Sequence, residues 1–126
     1  MYAVGVYNRT TASAANVHVG SDGALYRSTS ALKYKKDIRD LEAIDITKFR
    51  AVRYKSAVDE NDTKDHIGLI ADEVAEAGLT ELVHYENGEV EGFAYDRLSA
   101  VLLKTIQDLS AKVDSLQAEI NILKGE

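Results

Sequence analysis

The chain has 126 residues, 29% of them charged, with a net charge of −6, which bounds it to one domain or a smaller one with an appendage. The acidic balance argues against nucleic acid as a partner, and the absence of cysteine excludes disulfides and thiolate metal sites. No apolar run approaches the roughly 20 residues a membrane span needs, so no membrane partner is expected.

The start, "MYAVGVYNRTTASAANV", lacks the basic opening and apolar centre of a signal peptide. Residues 2–7 read as mid-strand from the outset, and the chain is expected to be a piece of a longer polypeptide. Residues 1–27 form a predicted β segment: Val17 and Val19 alternate around His18, and "GSDG" supplies a reversal. In 31–48, Tyr34, Ile38 and Leu41 stand at i, i+4 and i+7, which predicts a helix through a polar stretch. Residues 49–58 are aromatic and β-branched and predict a strand, followed by the very polar "DENDTKD", expected to be an exposed and mobile tip. From His66 onward, Ile67, Ile70, Val74 and Ala77 keep helical spacing, and Gly78 is placed to end the helix. Asn87-Gly88 between two extended runs predicts a two-residue hairpin, because both central positions of a type I′ turn need positive φ.

The last 30 or so residues are the most regular. Leu102, Ile106, Leu109, Val113, Leu116, Ile120 and Leu123 step by alternating fours and threes, a heptad period with Ile106, Val113 and Ile120 at a and the leucines at d. So narrow a stripe predicts packing against copies of the same helix; the competing reading is a lone amphipathic helix folded onto its own domain. β-branched a residues with leucine at d lean toward two strands, so the period predicts an oligomer without fixing a trimer. Glu119 at g and Lys124 at the next e can pair between parallel chains.

Familiar catalytic signatures are missing. There is no phosphate loop, no nucleophile elbow and no pair of histidines at ligand spacing, so neither a metal nor a cofactor is expected. His66, between the polar tip and "IGLI", is a candidate supporting residue, although a half-buried structural histidine is the commoner case. Asp72, Glu73 and Glu76 read as a solvated helix face. A serine becomes a nucleophile when a base takes its proton, and a desolvated lysine can be that base, which draws attention to Ser30 and Lys35. On composition alone, Ser30 or Thr29 is a helix N-cap and Lys35 part of a solvated basic face. Five residues apart on one helix or strand, the two side chains point to different sides, so a working pair needs a bend between them or a second chain. A DNA-binding reading of "KYKKDIR" is weak because acids alternate with the bases and the whole chain is acidic.

The blocks "LYRSTSALKYKKDI", "FRAVRYK", "HIGLIADEV" and "GFAYDRLSAVLLKTIQDL" occur here in the order found in a known family, across roughly residues 25–126. The sequence resembles the C-terminal intramolecular chaperone domain of bacteriophage tail spikes, tail fibres and neck appendages, the S74 peptidases, which include the end domain of endosialidases. Their motif is a serine, a lysine five residues later, then an isoleucine. The resemblance thus implies Ser30 as nucleophile, Lys35 as general base and Ile38 as apolar anchor. It further implies an α+β fold with a parallel, trimeric C-terminal coiled coil, preceded by a short β segment. Residues 1–30 would be the end of a β-structured fibre. Residues 31–126 would be the chaperone, mixed over 31–97 and helical over 98–124. Its partners would be two further copies, as a homotrimer, and the fibre fused at its N-terminus as folding client. The whole would be made in the host cytoplasm, with the parent protein going to the virion and this domain released after self-cleavage.

Relatives often carry Asp, Asn or Ser after the serine, where this chain has Ala31, so a side chain that polarises the scissile carbonyl is missing and slow cutting is expected. Ser30 Oγ can attack the Thr29 carbonyl through a five-membered ring, whereas its own carbonyl demands a strained four-membered one. Members of the family resemble one another in being cut directly after the serine, which implies the Ser30-Ala31 bond, with Thr29-Ser30 as the alternative.

Overall fold

The computed structural model describes residues 8–125; the strand expected over 2–7 lies outside them. The chain divides into two compact units, Met1–Asp40 and Leu41–Glu126.

The first unit holds a small antiparallel hairpin, β1 (Val17–Val19) with β2 (Leu25–Arg27), in which Val17 faces Arg27, His18 faces Tyr26 and Val19 faces Leu25. Its turn is locked by Asp22, whose carboxylate accepts the Ala24 N–H at 3.0 Å and the Tyr26 hydroxyl at 2.6 Å. That hydroxyl, ahead of the Ala24 amide, holds the Asp22 carboxyl below the usual range. The expected β segment is therefore present over 17–27, whereas the helix expected over 31–48 is not. Two separate 3-10 turns form in that span instead, Leu32–Tyr34 and Ile46–Lys48, and between them Asp37 sits at φ 51°, a left-handed conformation that ends any right-handed helix there. The periodic apolar residues serve different units: Tyr34 and Ile38 stay exposed, while Leu41 packs against the core of the second unit.

The second unit begins with irregular chain and a 3-10 turn at Ile46–Lys48, where Asp45 accepts the Thr47 N–H at 3.0 Å. β3 (Val52–Tyr54) pairs antiparallel with β4 (His66–Gly68), and α1 (Ala71–Glu76) follows. The strand expected over 49–58 is thus confined to its centre, and the helix expected from His66 starts only at Ala71. Gly68 explains the difference. A Cβ there would lie 2.5 Å from the Tyr95 hydroxyl, which accepts the Leu69 N–H at 2.9 Å, so the close approach fixes an extended backbone through 66–69 and leaves Ile67 exposed. Gly78, at φ 86°, occupies the position after α1 that favours glycine.

β5 (Val83–Glu86) and β6 (Glu89–Phe93) form the predicted hairpin around Asn87 at φ 51° and Gly88 at φ 81°. Last comes α2, Tyr95–Leu123, 29 residues long. The core is small: Val74, Leu82, Val83 and Val101 are buried, with Leu41, Ile44, Ile46, Phe49, Leu79, Phe93 and Leu98 packed around them. At about 1.5–3 kcal/mol for each fully buried aliphatic side chain, this cluster is enough to hold α1, the β5–β6 hairpin and the first turns of α2 together. The result is a small mixed α+β fold with short antiparallel strands and one long C-terminal helix. Among the described residues no helix is long and apolar enough to cross a membrane.

α2 presents two separate stripes. Leu98, Val101, Thr105 and Asp108, at positions g, c, g and c of the heptad, are wholly or partly covered. The a/d stripe beside them is bare, from 41% exposure at Leu102 to 87% at Leu123.

Candidate functional site

The β1–β2 ladder closes with the Ser28 N–H donating to the Asn16 carbonyl, which brings the chain out of the hairpin two residues before Ser30. Ala31 is extended, Leu32–Tyr34 make one 3-10 turn, and Lys35 returns to an extended conformation at φ −123°, ψ 145°. The turn is held by the Tyr34 N–H on the Ala31 carbonyl and the Lys35 N–H on the Leu32 carbonyl, both at 3.0 Å. This is the bend that five-residue spacing requires. It folds the Lys35 side chain back, so that Nζ donates to Ser30 Oγ at 2.7 Å and to the Ser30 carbonyl oxygen at 2.5 Å.

Ser30 is not a helix cap: Ala31 holds the cap position of the 3-10 turn, with no side-chain cap bond. Lys35 is not simply part of a basic face either. Lys33 lies against its neighbour instead, with Nζ 5.1 Å from the Tyr34 ring centroid. The second contact of Lys35 was not legible from the sequence, because nothing in a residue pattern marks which backbone carbonyl a lysine will reach. Chemically it matters. The same nitrogen that can take the Oγ proton as a neutral amine can, as an ammonium, polarise the carbonyl of the Ser30-Ala31 bond. Both residues are exposed in the single chain.

His66 belongs to the second unit. Its Nε2 lies 2.7 Å from Asp62 Oδ2 and its ring 5.5 Å from that of Tyr54. Asp62 also accepts the N–H groups of Ser56 and Lys64, each at 3.1 Å. The Ser56 amide first, and the His66 ring second, hold the Asp62 carboxyl below the usual carboxylate range. The polar tip is accordingly exposed but tied to itself: Lys55 Nζ reaches Asp65 at 2.7 Å and the Thr63 carbonyl at 3.1 Å, and Ser56 Oγ accepts the Asp59 N–H at 3.1 Å. Of the three residues singled out for chemistry, Ser30 and Lys35 are brought together, and His66 is engaged by Asp62.

The site thus belongs to a small mixed α+β chain that ends in a long helix whose heptad stripe its own core leaves bare. Residues 30–84 of the chain match the model of the peptidase S74 family, described as chaperone of endosialidase. The match covers just under half of the chain, opens at Ser30, includes Lys35, Asp62 and His66, and stops ahead of α2. Over that segment the chain resembles the S74 family, which is one of self-cleaving peptidases. No curated protein and no solved structure matches the chain.

Proposed function

We propose that the chain is an intramolecular chaperone that trimerises through α2, registers the ends of a phage fibre or neck appendage fused at its N-terminus, and then cuts itself free after Ser30. The observation that carries the reading is the placement of Lys35 Nζ on both Ser30 Oγ and the Ser30 carbonyl oxygen. The bare a/d stripe from Leu102 to Leu123 supports the assembly half, since the helix's own unit uses a different stripe.

Three parallel helices bring the attached chain ends together at high effective concentration, which lowers the entropic barrier to a non-local β topology. Assembly then places the dyad away from bulk water, which favours the neutral amine of Lys35. Lys35 withdraws the Ser30 Oγ proton, and Oγ in turn takes a proton from a water molecule. The water oxygen adds to the Ser30 carbonyl carbon, the bond to the Ala31 nitrogen breaks, and that nitrogen leaves with the proton held by Lys35. The products are a Ser30 carboxylate and an Ala31 α-amine. Because Nζ rests on the Ser30 carbonyl and not on that of Thr29, the contact favours Ser30-Ala31 over Thr29-Ser30. His66 has a supporting part through the loop it latches with Asp62. The domain is made in the host cytoplasm, its parent goes to the virion, and the released piece does not follow.

A second reading, a non-catalytic trimerisation or host-attachment module, is favoured by the exposure of both dyad residues in the single chain. Two variants separate the two. Ser30→Ala and Lys35→Met chains are expected to associate like the wild type and to keep their full-length mass, while the wild type yields a fragment beginning at Ala31. A Ser30→Ala chain that is still cut overturns the dyad, and an intact wild type leaves the attachment reading.

A further inference from the structure

The heptad stripe is not the whole of the apolar surface that α2 leaves open. Leu103 stands at an e position, off the a/d stripe; it is 58% exposed and takes no part in the core cluster of its own chain. Leu98, at g, lies in the shell around that core and is half-buried. Five residues apart on one helix, the two flank opposite edges of the stripe and do not meet within a chain. The stripe between them is accessible up to the level of Leu98, since Ser99 at a is exposed and Leu102 at d is 41% exposed.

In a parallel, unstaggered bundle the g residue of one helix lies beside the e residue five positions on in its neighbour. For α2 and the Lys124 that follows it, this sets Leu98 beside Leu103, Thr105 beside Ser110, Lys112 beside Gln117 and Glu119 beside Lys124. Every step is matched in kind: leucine with leucine, hydroxyl with hydroxyl, ammonium with amide, acid with base. Other arrangements break the set. A stagger of one heptad puts Leu103 beside Thr105 in one direction and Lys112 beside Lys124 in the other. Reversing one helix brings e residues against e residues, so that, with most of the stripe overlapped, Leu103 faces Gln117 or Lys124 and no leucine.

We propose that Leu103 of one copy seats on Leu98 of the next, and that this pair, together with the charge and hydroxyl steps below it, fixes the helices parallel and unstaggered. Leu98 already packs against the buried cluster, so the neighbour's Leu103 extends that core across the chain boundary. Identical copies in a ring meet through two different edges, so each chain gives one leucine and receives one. The a and d residues repeat every heptad and tolerate a slip of seven; the g–e steps do not repeat, and they distinguish the aligned register from the slipped one. The proposal rests on the assembly reading above and is tested so that the two can fail separately.

The Ser30→Ala chain is the material for the test, so that cutting does not intervene. Assemblies refolded from a mixture of isotope-labelled and unlabelled chains are expected to show a nuclear Overhauser effect that crosses from the Leu103 methyls of one chain to the Leu98 methyls of another. Leu103→Gln in the same background is expected to weaken association at least about tenfold by sedimentation. It should leave the unfolding midpoint of the dilute single chain unchanged, because Leu103 serves no core of its own. A cross-chain contact of Leu103 with Thr105, Gln117 or Lys124 in place of Leu98, or a Leu103→Gln chain that assembles as tightly as its parent, overturns the contact and leaves the assembly standing. If the Ser30→Ala chain sediments as a monomer at every concentration, the assembly and the contact fall together.

Discussion

Lys35 reaches two oxygens of one residue, and that shapes the chemistry open to it. A lysine shared between Oγ and the carbonyl of Ser30 cannot direct Oγ onto that carbonyl, since the ring would have four members, so in the cleavage proposed above water is the attacking group. Two other residues carry checkable consequences. Tyr95 packs its hydroxyl over Gly68 while accepting the Leu69 N–H. Tyr95→Phe should cost about 1 kcal/mol for the lost bond, and Gly68→Ala should cost less in that background than alone, a coupling of about 1 kcal/mol in a double-mutant cycle by denaturant unfolding. Asp62 is held below the usual carboxylate range by the Ser56 amide and His66. A carboxyl depressed on folding stabilises above its unfolded value and loses that contribution as pH falls through the folded one. The 56–66 loop should therefore loosen only below the ordinary carboxylate range, seen as a shift and broadening of the Ser56 amide resonance. Asp62→Asn should abolish that acid transition, and the local probe keeps it apart from Asp22, Asp45 and Glu73, which titrate in the same direction.

Elements were legible in proportion to how local their causes are. The Asn87-Gly88 hairpin and the helix end at Gly78 depend on positive φ at named positions, and the sequence states that requirement outright. The long helix announces itself by its own period. The helix expected over 31–48 fails because Asp37 adopts a left-handed conformation and because its apolar residues serve two different units, neither of which spacing reveals. His66–Gly68 became a strand because of Tyr95, more than 20 residues away, whose approach to Gly68 no local window contains. The Ser30–Lys35 pair was legible as two residue types at one spacing; the turn that joins them was legible only as a need for a bend. α2 divides its labour between stripes, which gives a prediction at this scale. Val101→Ala, in the core stripe, should destabilise the single chain by about 2 kcal/mol. Leu116→Ala, 57% exposed, should leave the unfolding midpoint of the dilute chain nearly unchanged and weaken association instead. Thermal unfolding and sedimentation, run on both, read the two effects apart.

At the scale of the whole molecule, a small core supports a long helix, and most of that helix's apolar surface faces outward. The chain's own fold secures the N-terminal turns of α2, and on the proposed reading copies of itself cover the rest. Ser30 and Lys35 meet within one chain, yet both lie in water there, so on this account association is what turns a contact into a catalyst. The most direct test reads mass and assembly state together, on the wild-type chain and on Leu109→Asp, which places a charge in the middle of the heptad stripe and leaves the dyad untouched. The account predicts that the wild type sediments as a trimer and yields a piece beginning at Ala31, while Leu109→Asp stays monomeric and full length. A monomeric Leu109→Asp chain cut as fast as the wild type, or a trimeric wild type that keeps its full mass, would contradict it.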